Sequence, residues 1–314
     1  MLSLVGRRFL QGLPMLLLVS LVAFGVGNAS LVDPAQSALA GIGTGTVASP
    51  EAVEEKREQM GLNDPIHVRY VEWVADALRG DLGTSFVNGG RVSVMITDRL
   101  PASLALGAVT MILALGVAIP VGMLAARRPG SVMDLFARIL SLFAASVPGF
   151  WLALIFIWIF AAKLQWFPSL GSFTLAGMVL PVLVLSFRPI GRFVRLMRVT
   201  TMEVLQAEHI RVARGRGLSE RVVLRRHVRG NAILPILSVI GLDFAALIGE
   251  VAVIEWVFGW PGIGRMGVDA AVRGDLPVLM GFTMTIGIIV ILTNLVIDVV
   301  TGILDPRLRE RAPQ

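Results

Sequence analysis

The sequence predicts an all-α integral membrane protein with six transmembrane helices, and three observations predict it. Of 314 residues, 55% are hydrophobic and only 16% charged, where a soluble domain carries about 25% charged residues. The apolar residues gather into six long runs. About 20 such residues span the roughly 30 Å hydrocarbon layer as a helix, the form that satisfies its own backbone there. The 28 Lys and Arg residues fall unevenly about those runs, dense on one side and sparse on the other.

The runs are 9–29, 102–126, 135–162, 174–193, 234–257 and 279–304. Arg7 and Arg8 give the first run the look of a secretory leader. Its apolar stretch exceeds the 7 to 15 residues of a leader core, so it is read as a spanning helix. Pro14, Pro120, Pro148 and Pro181 lie in or near the ends of the runs, which a helix bundle tolerates because neighbours satisfy the freed carbonyls. A kink is expected foremost at Pro148-Gly149.

Orientation follows from the basic residues. One side receives Arg7, Arg8, Arg127, Arg128, Arg138, eleven arginines from Arg188 to Arg229, and Arg307, Arg309 and Arg311, nineteen in all. The other receives Lys163, Arg265 and Arg273 in short loops, plus six in a long segment that counts little. Both termini are therefore expected on the cytoplasmic side of a plasma membrane. Arginines that flank membrane helices are explained by topology, so no nucleic-acid partner is expected.

Two parts are expected outside the bilayer. Residues 30–100 are too acidic and punctuated to cross. They should hold short helices over 50–60 and 67–78, broken at Asn63-Asp64-Pro65, with Gly41 to Gly45 as a flexible joint. The second part is the basic loop 195–232. The chain thus divides into 1–100, a first helix with its external segment; 101–304, a core that includes the loop; and a tail, 305–314.

Several chemistries are excluded. A phosphate-cradling loop needs Gly-Lys followed by Ser or Thr, whereas the only lysines, Lys56 and Lys163, follow Glu55 and Ala162. No nucleophile elbow or His-Glu-x-x-His pattern occurs, and His67, His209 and His227 are scattered. With no Cys, thiolate chemistry is also absent. No cofactor, metal site or enzymatic activity is expected of this chain.

Within the basic loop, Leu205 with Ile210 and Val212 with Ala213 predict one short amphipathic helix ended by Gly215 and Gly217. Ser219 should cap a second, over 220–228, before Asn231 and Pro235 return the chain to the membrane. On composition alone this is a solvated positive loop that fixes topology. Against that stands its apolar stripe: Leu205, Ile210, Val212, Leu218, Val222, Val223 and Leu224 have little local chain to bury against. Those residues are expected to need a partner.

From Ala213 to Pro235 the loop resembles the EAA-type loop of binding-protein-dependent ABC importer permeases, in particular the dipeptide, oligopeptide and nickel branch. The match falls on Ala213, Arg214, Gly217, Leu218, His227, Asn231, Leu234 and Pro235. Arg216 stands where the family has Lys, and Gly230 where an Arg precedes the Asn, which is expected to loosen the turn. Other segments resemble the family in order along the chain: Arg7-Arg8-Phe9 with Pro14, Asp33-Pro34-Ala35 after Leu31-Val32, Gly61 to Pro65, Gly80 to Ser85, Arg99 to Ser103, Glu255 to Arg265, Asn294 with Asp298, and Asp305-Pro306-Arg307.

The resemblance implies a type I importer permease that pairs with a homologous permease, two cytoplasmic ATPase subunits and an external substrate-binding protein. ATP and Mg would sit on the ATPases and not here. It implies that the knob over 203–226 is the coupling element, with Glu208, Ala213, Arg214, Gly217, Leu218, His227, Asn231 and Pro235 as its ATPase-coupling set. The substrate would be a di- or oligopeptide, or alternatively nickel or a nickel chelate. A stand-alone secondary transporter is the alternative from another class; it would carry an inverted repeat and buried proton-relay carboxylates.

Polar groups at membrane depth are functional candidates by default. Glu250 lies mid-run and is expected either to face the pathway, where it could attract a substrate ammonium or a metal chelate, or to pair with an arginine of a neighbouring helix or the partner subunit. Glu255, before the Gly259-Trp260-Pro261-Gly262 turn, is expected at an interface or gate. Asn294 and Asp298, four apart on one helix face, are expected to hydrogen-bond between helices, with substrate contact as the alternative, and they stand with Glu250 and Glu255 as the candidates for the translocation pathway or gate. Trp151, Trp158, Trp166, Trp256 and Trp260 suit interfacial anchoring.

Overall fold

Six apolar runs require helices, and a computed structural model of the protein supplies thirteen α-helices among the described residues. It describes residues 2–29, 33–41, 49–168 and 171–304; the side chains of 2–11, 40, 41, 237, 238, 242, 245, 298 and 300–304 lie outside that description. Most of the glycine patch after Gly41, Leu31-Val32, the Asp298 carboxylate and the tail 305–314 are therefore outside it. Among the described residues no strand forms, and the backbone pairs across strands only at an isolated Thr84–Arg91 bridge.

One unit comprises Met1–Leu104 with Gly259–Ile291. It holds α1 (Leu2–Asn28), α2 (Pro34–Gly41), α3 (Pro50–Gln59), α4 (Ile66–Leu78), the start of α5 (Val92–Arg127), α12 (Ile263–Arg273) and most of α13 (Leu276–Leu304). The two expected short helices are α3 and α4. Ser49 Oγ accepts the Ala52 N–H at 3.3 Å and Pro50 fills the first turn, where its missing N–H is no loss. The core of this unit joins Val92, Ile96, Ile263, Met266, Ala270 and Val278. Trp260 is fully buried, its indole N–H donating to the Ala102 carbonyl at 3.2 Å. This corrects the expectation of a membrane-interface anchor: its one polar atom finds a partner inside the chain, so the whole ring can bury. Helix α12 falls where the sequence reading had only a turn and loop charges. Gly274, at φ 68°, ends it in the left-handed conformation that suits glycine.

The second unit comprises Ala105–Phe258 with Leu292–Gln314. It contains the rest of α5, then α6 (Val132–Ser146), α7 (Gly149–Phe156), α8 (Leu175–Gln206), α9 (Glu208–Gly215), α10 (Glu220–Val222) and α11 (Arg229–Phe258). Helix α8 is the hub, packed on α6 and on α11. Gly191 lets α8 approach α6, because a Cβ there would run into Ala144. Thr174 Oγ1 caps α8 by accepting the Gly177 N–H at 3.2 Å.

By length and composition, α5, α8 and the 276–297 part of α13 are each able to cross a membrane, and the number rises to five if each of two bent pairs is one crossing. The sixth expected crossing is α1, whose described apolar part, Gly12–Asn28, is shorter. The first bent pair, α6 with α7 and its π-helical continuation Ile157–Lys163, turns by 101° at Val147-Pro148, the site of the expected kink. Pro148 supplies no N–H and disfavours helix at Val147, which is extended.

The basic loop departs from expectation in three ways. Helix α8 runs on to Gln206, so Leu205 and Ile210 lie on different helices, parted at the extended Ala207. The second helix does not stop at Val228 but continues through a π-helical turn, Val223–Val228, into α11. Gly230 therefore stands in a helix and loosens no turn. Ser219 has the extended backbone of a cap but makes no side-chain capping bond; its carbonyl accepts the Val222 and Val223 N–H groups instead.

Candidate functional site

The loop folds into a knob closed on itself. Arg214 at the end of α9 donates from Nε and Nη2 to the two oxygens of Glu220 at 3.2 and 2.8 Å, a bidentate clamp across the intervening turn. That hydrogen bonding holds the Glu220 carboxyl below the ordinary range and raises the Arg214 guanidinium. Gly217, at φ 79°, makes the turn in the left-handed region, its N–H reaching the Arg214 carbonyl at 2.9 Å. Ile210, Ala213, Val223, Leu224 and Val228 are buried within the chain. The chain thus covers part of the stripe expected to need a partner: the π-helical turn returns Val223 and Leu224 under α9. Val212, Leu218 and Val222 remain exposed.

The expected coupling set is thus distributed. Glu208, Ala213, Arg214, Gly217 and Leu218 share the α9 end of the knob. His227 is half-buried in the π-helical turn, its carbonyl accepting the Asn231 amide at 2.8 Å. Pro235 lies inside α11.

Between α8 and α11 lies a small cavity of about 40 Å³, lined by Arg188, Arg192, Asp243 and Glu250 together with Pro189, Ala246 and Leu247. Arg192 pairs with Asp243, which is 7% exposed. Glu250 meets the cavity from α11, and its Oε1 lies so close over Gly149 that a Cβ there would collide with it. Arg188 and Arg192, counted by sequence with the basic flank, are positions of α8 facing this cluster. In the same unit, at the start of α6, Asp134 is fully buried and takes Arg198 and Arg138, while accepting the Gly130 N–H at 2.9 Å.

Glu255 is fully buried within the chain. Asn294 Oδ1 lies over Gly241, where a Cβ would come within 2.9 Å of it, so α13 and α11 approach closely at that point. Among the described residues no group of three or more His, Asp or Glu is placed to hold a metal ion.

Comparison with known proteins bears on the whole chain. Residues 118–310 match the model of the binding-protein-dependent transport system inner membrane component, and 1–107 match the model of its N-terminal part. The chain belongs to that family. This inner-membrane component is 36% identical to the oligopeptide transport system permease protein AppB of Bacillus subtilis (strain 168), over 96% of this chain and 98% of that protein. It is 31% identical to the dipeptide transport system permease protein DppB of Alkalihalophilus pseudofirmus, over 98% and 100%. Its fold is similar to a chain of the MetNI methionine ABC transporter in inward-facing crystal structures, with a TM-score of 0.53 and 17% identity over 67% of this chain and 96% of that one. It is a multi-pass inner-membrane protein.

The sequence reading of this inner-membrane component missed several polar residues. Asp243 had the same signal as Glu250, a charge inside an apolar run. Asp134 sits one residue before a run and so escaped notice. In the first unit, Asp275 is buried and accepts Ser85 Oγ at 2.5 Å and the Phe86 N–H at 3.1 Å. Beside it a cavity of about 320 Å³ is lined in part by Arg99, Arg265, Asp269 and Arg273. A pairing 190 residues apart leaves no local trace in a sequence.

Proposed function

We propose that this chain is the permease subunit of an ATP-driven importer and forms part of the translocation pathway for di- and oligopeptides. The observation that carries this reading is near-full-length similarity to permeases named for oligopeptide and dipeptide transport. None of these names favours nickel. The chain acts without catalysis of its own: it works beside a homologous second permease, two cytoplasmic ATPase subunits that hold ATP and Mg, and an external substrate-binding protein. Both termini and the knob face the cytoplasm of a bacterial or archaeal cell, as the weight of arginine argues.

In this reading the ATPases grip the knob. Val212, Leu218 and Val222 give an exposed apolar contact, and the Arg214–Glu220 clamp makes it stiff enough to transmit a push. A contact moves the helices only if it differs in strength between the two states of the ATPase pair. Closure of the ATPases on ATP then rocks the permease pair outward-open, and the external protein releases its peptide into the cavity.

The test is uptake by proteoliposomes holding this chain, its partner permease, both ATPases and the external protein. Accumulation of a labelled dipeptide is expected only with ATP and every component present. Leu218→Glu is expected to abolish uptake while the two permeases still co-purify. Accumulation without the ATPases would identify a stand-alone transporter, and full ATPase recruitment by the Leu218→Glu permease in a pull-down would refute the coupling assignment.

A further inference from the structure

We infer that Asp243 and Glu250, opposed by Arg188 and Arg192, form a subsite that takes a primary ammonium group of the solute during passage. This rests on the proposed peptide-import reading and names which part of the solute the membrane core holds.

Asp243 decides the chemistry. Its side chain is 7% exposed; Oδ1 accepts from Arg192, while Oδ2 is buried without a hydrogen-bond partner among the described residues. An ionised carboxylate accepts on both oxygens, and a buried acceptor left unmade is costly. Glu250 is seven residues on along α11, two helical turns away on the same face. It makes no hydrogen bond or salt bridge among the described residues, yet lines the same cavity. The buried atom left without a partner is thus an acceptor, Asp243 Oδ2, with the Glu250 carboxylate lining the same cavity, whereas the guanidinium donors of Arg188 and Arg192 are exposed; a donor-only group completes the buried acceptor. An ammonium brings three N–H donors and no acceptor. The cavity, about 40 Å³, admits a group of about the size of one water molecule and not a peptide backbone, so what enters is a terminus or side-chain end.

The arginines explain why the site releases its ligand. Two guanidinium and two carboxylate groups cancel, so an arriving ammonium meets a neutral cluster and is not trapped as it would be by carboxylates alone. Transport requires binding favourable enough to enter and weak enough to leave. Arg188 and Arg192 stand four apart and exposed on α8.

The experiment uses the complete importer with its external protein in proteoliposomes and three solutes: Ala-Leu, N-acetyl-Ala-Leu and N-acetyl-Lys-Leu. Uptake of each is divided by the external protein's own occupancy with that solute, which removes recognition by the external protein. Glu250→Gln is expected to lower the ratio of Ala-Leu to N-acetyl-Ala-Leu uptake about tenfold, the effect of weakening one charge-assisted hydrogen bond. Asp243→Asn should do the same; because it also releases Arg192 and can impair folding, Glu250→Gln carries the test by itself. A matching fall for N-acetyl-Lys-Leu means that a lysine amine is accepted as well, and its absence confines the subsite to the α-amine; either outcome supports the assignment. A ratio unchanged from wild type overturns it and leaves the cluster a clamp between helices. Failure of the wild-type importer to take up any of the three overturns the peptide reading itself, and the inference with it.

Discussion

Position 149 shows how one absent methyl group arranges the polar cluster. Gly149 opens α7 immediately after Pro148, and a Cβ there would meet the Glu250 carboxylate, the far end of a flexible side chain. Gly149→Ala should therefore fold, with the carboxylate swung out of its cavity. Insertion and thermal stability should stay near wild type, within about 1 kcal/mol, while dipeptide uptake falls several-fold. Gly191 is the control. Its Cβ would meet Ala144 and the Ser141 backbone, which cannot swing, so Gly191→Ala should lower the melting temperature markedly. Equal uptake by Gly149→Ala and wild type would mean that the position of Glu250 does not matter. At this scale the sequence discloses single charges in apolar surroundings, Glu250 among them, but not their partners. Gly149 and Glu250 are about a hundred residues apart, and only packing shows that one makes room for the other.

Among the elements, the knob depends on its turn. Gly215 and Gly217 look alike in the sequence, and by residue type both are expected to stop a helix. In the structure Gly215 has ordinary backbone with open space around its Cα, whereas Gly217 lies at φ 79°. An L-residue in the left-handed region costs about 1–2 kcal/mol, while Gly to Ala in a helix gains up to about 1 kcal/mol. Gly217→Ala should thus speed amide hydrogen exchange across α9 by about an order of magnitude, and Gly215→Ala should slow it slightly. Acceleration by both would show that the turn is not the strained point. The amphipathic content of the knob was legible from residue types, but its helix boundaries were not. Apolar spacing continues across Ala207 and across Val228, so periodicity joined 205 with 210 and ended a helix that runs on. Tertiary contact decided both points: Ile210, Val223 and Val228 have no exposed surface left.

For the whole molecule, the question is how many times the chain crosses. The apolar runs were legible because the bilayer imposes length directly on sequence, and each became helix. Whether a run makes one crossing depends on its path, and α6 with α7 turns by 101° midway. Such a pair is either one broken span or a re-entrant hairpin that returns to its own side. Parity separates the two. Between Glu58 on α3 and Arg216 in the knob lie α5, the bent pair and α8. Three crossings place those residues on opposite faces of the membrane; two place them on the same face. The chain has no cysteine, so Glu58→Cys and Arg216→Cys each introduce a single thiol at an exposed position. A membrane-impermeant maleimide should label Glu58→Cys in intact spheroplasts and Arg216→Cys only in inverted vesicles. Labelling of both from one side would make the bent pair re-entrant. It would also move the knob out of reach of a cytoplasmic ATPase, or Glu58 out of reach of an external binding protein, because the arginine count that orients the chain assumes a crossing there.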